Sequence, residues 1–190
     1  MTSIENRENI NSISQTRFIV LCILTFGIYQ TWWIYKSWRF FNYKDKLETN
    51  PATKTIFSIF YLIPLFQRIK HYSKDNNLKA NYSSLIQYVG VVGLSFLSLN
   101  ESLWLVSMFT FVFLIRPFKS LNNAISNDPD YQLTKKSNYS GRQWLILVIG
   151  SLFWTLLLIG FFLMIEEASS DNVINISHEE IEILLKEANK

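Results

Sequence analysis

Tyr29, Trp32, Trp33, Lys36, Trp38 and Arg39 crowd into one short run, IYQTWWIYKSWRFF. Tyr29, Trp32, Trp33 and Lys36 recur at three- and four-residue spacing and so fall roughly on one helix face. Aromatic rings beside a cation suit an anionic lipid headgroup or a partner helix. They serve equally as a plain interfacial anchor, because indole and phenol rings settle where one end is apolar and the other wet. Lys36 and Arg39 can lay their apolar stems along the helix and keep their charges in water or against lipid phosphate.

Other chemistry is sparse. His71 and Asp75 stand one helical turn apart, after Arg68 and Lys70. That is one residue short of the H-x-x-x-x-D acyltransferase pattern, and an interfacial histidine beside basic residues is the simpler reading. His178 lies in a tail segment, Ser177-His178-Glu179-Glu180, that fits a helix-capping box. Two distant histidines and the single Cys22 make no zinc set, and Cys22 has no partner for an internal disulfide. No H-E-x-x-H, glycine-rich phosphate loop or nucleophile elbow occurs. No catalytic residue, cofactor or metal is therefore expected. A lipid-processing enzyme built on His71 and Asp75 is the alternative, and a channel or transporter ranks below it.

The elements that must position these residues are apolar blocks. Of the 190 residues, 49% are apolar and 16% aromatic. Their charges lie between the blocks rather than within them, as in a membrane protein. Phe18 to Tyr35 carries no charge and nearly matches a hydrocarbon core of about 30 Å at about 1.5 Å per residue. Ile56 to Phe66 is too short to cross alone and contains Pro64, which suggests a re-entrant or interfacial helix. Tyr82–Leu99 and Leu103–Ile115 flank the polar tip Asn100-Glu101-Ser102 and predict a helical hairpin. Trp144–Ile165 is an uncharged span in which Gly150 and Gly160 would let another helix approach. Gln30 and Gln87 are read as bonding across helices. With no Asp, Glu, Lys, Arg or His inside the blocks, a coupled transporter is disfavoured.

The expected fold is all-α: a multi-pass transmembrane bundle with three full spans plus one short re-entrant or fourth spanning helix. Residues 1–17 read as a polar, disordered N-terminus and 18–165 as the transmembrane domain, with helices near 18–43, 53–75, 82–99, 102–127 and 143–166. Residues 166–190 read as an acidic tail with a short amphipathic helix. The basic segments 36–55, 67–83 and 116–143 fall on one side if Ile56–Phe66 dips without crossing, which leaves the N-terminus opposite; if it crosses, the N-terminus shares the side of 67–83 and 116–143. The expected partners are the lipid bilayer and another membrane protein. No basic soluble domain is present to grip nucleic acid. The role expected is structural or regulatory.

Leu24-Thr25-Phe26-Gly27-Ile28-Tyr29, followed by Trp32-Trp33-Ile34-Tyr35-Lys36-Ser37-Trp38, resembles the T-x-G-I-Y…W-W-I-Y-K-x-W signature of an uncharacterised family of small bacterial multi-pass membrane proteins. IFSIFYLIPLFQRIK is similar to that family's second, aromatic-rich segment. The resemblance implies a helical protein of the bacterial inner membrane and supplies no catalytic residues.

Overall fold

The computed structural model describes residues 8–97, 99–100, 104–135 and 141–188, in two units that part between Leu147 and Val148. The chain is mostly helical. The first unit opens with β1 (Glu8–Ser12), α1 (Gln15–Leu24) and α2 (Ile28–Lys44). The uncharged run from Phe18 is therefore not one continuous helix. It stops at Thr25-Phe26-Gly27, where Phe26 and Gly27 adopt φ of 49° and 86°. The Thr25 hydroxyl serves both sides of the joint: it donates to the Leu21 carbonyl at 2.7 Å and accepts the Tyr29 N–H at 2.9 Å. The chain then folds back, because Phe18 meets the rings of Tyr29 and Trp33 at 6.2 and 5.9 Å. With ten residues, α1 is only about 15 Å long, half a hydrocarbon core.

A second hairpin comprises α3 (Pro51–Ile56) and α4 (Ser58–Asp75), hinged at Phe57. Asn50 caps α3 by accepting the Ala52 N–H at 2.9 Å, and Pro51 takes the first helical position, where its missing N–H costs nothing. Both helices lie against Trp38: Lys54 sits 4.3 Å over its ring, and Tyr61 meets it edge-on at 6.3 Å.

A third hairpin pairs α5 (Ser84–Leu97) with a 3₁₀ segment (Trp104–Thr110) that runs into α6 (Phe111–Asn127). The expected polar tip here includes Glu101 and Ser102, which lie outside the described residues. The arms touch so closely at Gly90 that a Cβ there would come within 2.2 Å of the Phe113 ring. At about 2 Å per residue, the 3₁₀ stretch lengthens the apolar part of the second arm to about 21 Å, matching α5.

The three hairpins turn at one end of the unit. Gln30, just past the first turn, bonds Thr110 at 2.8 Å, while Ser58 and Ile59 share a small cavity with Ser95 and Phe96. The polar ends gather at the other. There β1 pairs in parallel with β2 (Tyr131–Lys135), from Glu8↔Tyr131 to Ser12↔Lys135. A two-stranded sheet is marginal alone; this one survives because Ile10, Leu133 and Tyr131 pack on the core. The reading of 1–17 as disordered thus gives way over Glu8–Ser12 and from Gln15, and Met1–Arg7 lie outside the described residues. The core between the ends is built on Phe18, Leu65, Phe66, Ile69 and Leu114, all fully buried.

The second unit is the greater part of α7 (Gly141–Ala188), which continues past Ile165 into the expected tail instead of ending there. No glycine or proline follows Gly160 to stop it. Two stretches, Leu105–Asn127 and Gln143–Glu167, are long and apolar enough to cross a membrane. Gln15–Leu24 and Ser84–Leu97 are apolar but shorter.

Candidate lipid and partner interface

The collar divides between two faces of α2. Tyr29, Trp33, Ser37 and Phe41, with Ile34 and Trp38, form its buried side. Tyr29 and Trp33 pack on Phe18 from α1, and Trp33 also meets Phe118 from α6 at 6.0 Å. Three of the six collar residues, Tyr29, Trp33 and Trp38, are therefore core rather than contact surface. The physical reason is tertiary: a lone helix could offer these rings to lipid, but the turn at Thr25–Gly27 folds α1 over Tyr29 and Trp33, while α3 and α4 close over Trp38.

Trp32, Lys36 and Arg39 stay exposed on the opposite side of α2. Trp32 is half exposed and stacks on Tyr35 with ring centroids 5.3 Å apart. This outer stripe begins with the strongly exposed Ile28 and ends with the exposed Tyr43. An apolar start, a tryptophan, two cations and a terminal tyrosine is the order in which side chains meet acyl chain, headgroup and water.

Trp38 is a meeting point of α2, α3 and α4. Its indole is met by the cations of Lys54, at 4.3 Å, and Arg68, at 5.9 Å. Arg68 also pairs with Asp45 at 3.1 Å. Cations over an indole face are attracted by its quadrupole, about 1 kcal/mol or more when shielded from water. The Trp38 Nε1–H is buried without a hydrogen-bond partner among the described residues.

A second polar knot went unrecognised in the sequence. Asp128, immediately after α6, accepts from the Tyr72 hydroxyl at 2.7 Å and from Lys44 Nζ at 3.0 Å. Its other oxygen takes the Asp130 N–H at 3.0 Å. Lys44 Nζ lies 4.6 Å from the Tyr72 ring centroid and 5.3 Å from that of Tyr131. Burial works against the Asp128 carboxylate. Even so, the hydrogen bonds from Tyr72, Asp130 and Lys44, with the Lys44 charge, hold its carboxyl below the usual carboxylate value. Burial first, then the bond to Asp128 and its negative charge, push the Tyr72 phenol upward. The one advance signal is Asp128-Pro129, a helix stop that sets an acid beside the basic ends of α2 and α4.

His71 and Asp75 are indeed joined, with Nδ1 and Oδ2 3.0 Å apart, and both side chains are mostly exposed. Gln30 does bond across helices, to Thr110. No group of three His, Cys, Asp or Glu residues suited to a metal ion occurs among the described residues.

No protein-family model matches the chain, and neither a curated protein nor a solved structure matches it.

Proposed function

We propose that this chain is an integral membrane protein with a structural or regulatory role, meeting lipid or another membrane protein through Trp32, Lys36 and Arg39. One observation carries this reading. Among the described residues of the first unit, the four large apolar ones that are more than 70% exposed, Ile28, Ile56, Phe60 and Leu99, each sit at or beside a hairpin turn. Tips this apolar, opposite ends this basic, suit hairpins that dip into a bilayer from the side where their charges remain. The apolar residues of α7 from Val148 to Ile165 are largely exposed as well, which water would penalise and lipid would not.

In this reading α7 crosses the bilayer. The α5–α6 hairpin crosses or nearly crosses it, and the first two hairpins are re-entrant. The pairing of β1 with β2 favours an N-terminus on the same side as the basic segments. Of the 18 Lys and Arg residues, only Lys186 and Lys190 then lie beyond the α7 span. The likeness of the Thr25–Trp38 run to small bacterial multi-pass proteins makes the bacterial inner membrane the proposed location. Thr25 as double cap and Gly27 at positive φ give that run a physical purpose.

The test is recovery from native membrane in mild detergent. Wild-type chain should resist alkaline carbonate and co-purify with a partner or a defined lipid. A Trp32→Ala/Lys36→Gln/Arg39→Gln variant should remain in the membrane but lose that companion. Release by carbonate alone would end the membrane reading. A second reading, a lipid-processing enzyme, is favoured by the His71–Asp75 hydrogen bond, which would orient the imidazole as a base. His71→Ala would abolish any lipid turnover by such an enzyme and leave a structural role unchanged.

A further inference from the structure

The polar end of the first unit contains a cavity of about 1030 Å³ between α4, the connection to α5, and α6. Lys70, Lys74, Lys79, Arg116 and His71 line it, and among the described residues no Asp or Glu does. The four Lys and Arg side chains form no ion pair among the described residues. Four like charges around one space give it a positive potential that attracts anions. Three acids of this end are engaged elsewhere: Asp128 with Lys44 and Tyr72, Asp45 with Arg68, and Asp75 with His71.

We propose that this cavity binds a phosphate-bearing anion. Lysine and arginine gathered from two helices and a loop are the chemistry that recognises phosphate. Two sources share that chemistry, the headgroup of an anionic phospholipid and a soluble phosphorylated compound. The surroundings favour the lipid. Tyr82 and Ser83 line the cavity, and directly beyond them Leu85, Ile86 and Val89 are more than half exposed on α5. Acyl chains attached to a phosphate in the cavity would have an apolar strip to follow. Arg116 likewise follows the apolar arm of α6, so the cavity sits where charge gives way to apolar surface.

The lipid source rests on the membrane reading above, and the experiment separates the two. Full-length chain is purified in mild detergent and titrated by native mass spectrometry with phosphatidic acid, with phosphatidylcholine, and with inorganic phosphate. One phosphatidic acid should be retained in preference to phosphatidylcholine. Each cation removed should weaken it about fivefold, from about 1 kcal/mol per charge near an anionic phosphate. Lys70→Gln/Lys74→Gln and, separately, Arg116→Gln are the variants. All three side chains are exposed, so folding should survive, with unchanged helical circular dichroism as the check. Lys46→Gln, away from the cavity, should bind as wild type. Equal retention of phosphatidic acid by wild type and both cavity variants would overturn the proposal. Binding of inorganic phosphate that the variants lose, without preference for phosphatidic acid over phosphatidylcholine, would support the anion site and assign it to a soluble ligand. A chain that needs detergent yet shows no cation-dependent anion binding would refute the cavity alone and leave the membrane reading standing.

Discussion

A carboxylate taken out of water stabilises a fold only while its partners stay in place, and Asp128 has three. Its carboxyl lies below the ordinary value of 3.8. The stability it contributes is therefore complete above that ordinary value and is lost as pH falls through the lowered one. Thermal unfolding in detergent should show a decline below about pH 4. Asp128→Asn should remove that decline and lower stability at pH 7 by about 2–3 kcal/mol, because Lys44 loses its counter-charge and an amide offers one acceptor oxygen where the carboxylate offered two. The two neighbouring tryptophans of α2 provide a second residue-level contrast. Trp33 is 7% exposed against Phe18 and Phe118, whereas Trp32 is 50% exposed. Trp33→Ala should cost about 3–5 kcal/mol. Trp32→Ala should barely move the melting temperature and should act instead on the recovery of a partner or lipid. Equal destabilisation by both would mean that α2 is covered on both faces.

Among the elements, two glycines allow the hairpins to exist. Gly27 holds a φ of 86°, where any side chain costs about 1–2 kcal/mol, and a Cβ there would also press on the Gln30 amide at 2.9 Å. Gly27→Ala should lower stability by that amount without changing helix content, as measured by circular dichroism during melting. Gly90 is limited by space rather than conformation, since the Phe113 ring fills the place of its side chain. Gly90→Ala should destabilise more than Gly27→Ala, and Phe113→Leu in the same chain should restore part of the loss. A double-mutant cycle that returned no coupling would show that α5 and α6 do not pack at this point.

For the molecule as a whole, the sharpest prediction concerns sides. In a Cys22→Ala background, single cysteines at Asn11 and Gln132 should react with a membrane-impermeant maleimide from the same side of sealed vesicles. A cysteine at Lys186 should react from the other. The pairing of Asn9 with Gln132 and Asn11 with Thr134 requires the first result, whatever the depth of the hairpins. Asn11 and Gln132 reacting from opposite sides would break the parallel strand pair and restore a first helix that crosses. The gathering of basic ends has the same consequence. Lys44 reaches Asp128, and Arg68 reaches Asp45, across segments far apart in the chain, so those segments cannot be divided by a bilayer.

Composition and spacing by themselves determined the helical class, the apolar blocks and the alternation of basic and uncharged segments, because those depend on local free energies of transfer and on helix periodicity. The break at Thr25-Phe26-Gly27 was also written there, since a glycine closing an apolar run is a helix stop, but an uncharged run of nearly membrane length hid it. Only the tertiary structure decided which collar residues face outward. A lone helix presents every ring to its surroundings, and which ring is covered depends on α1 folding back and α6 arriving from far along the chain. The same holds for the strand pair, the Asp128 knot and the basic cavity: each joins residues from distant segments, and no local pattern records a contact whose energy exists only after the chain has closed on itself.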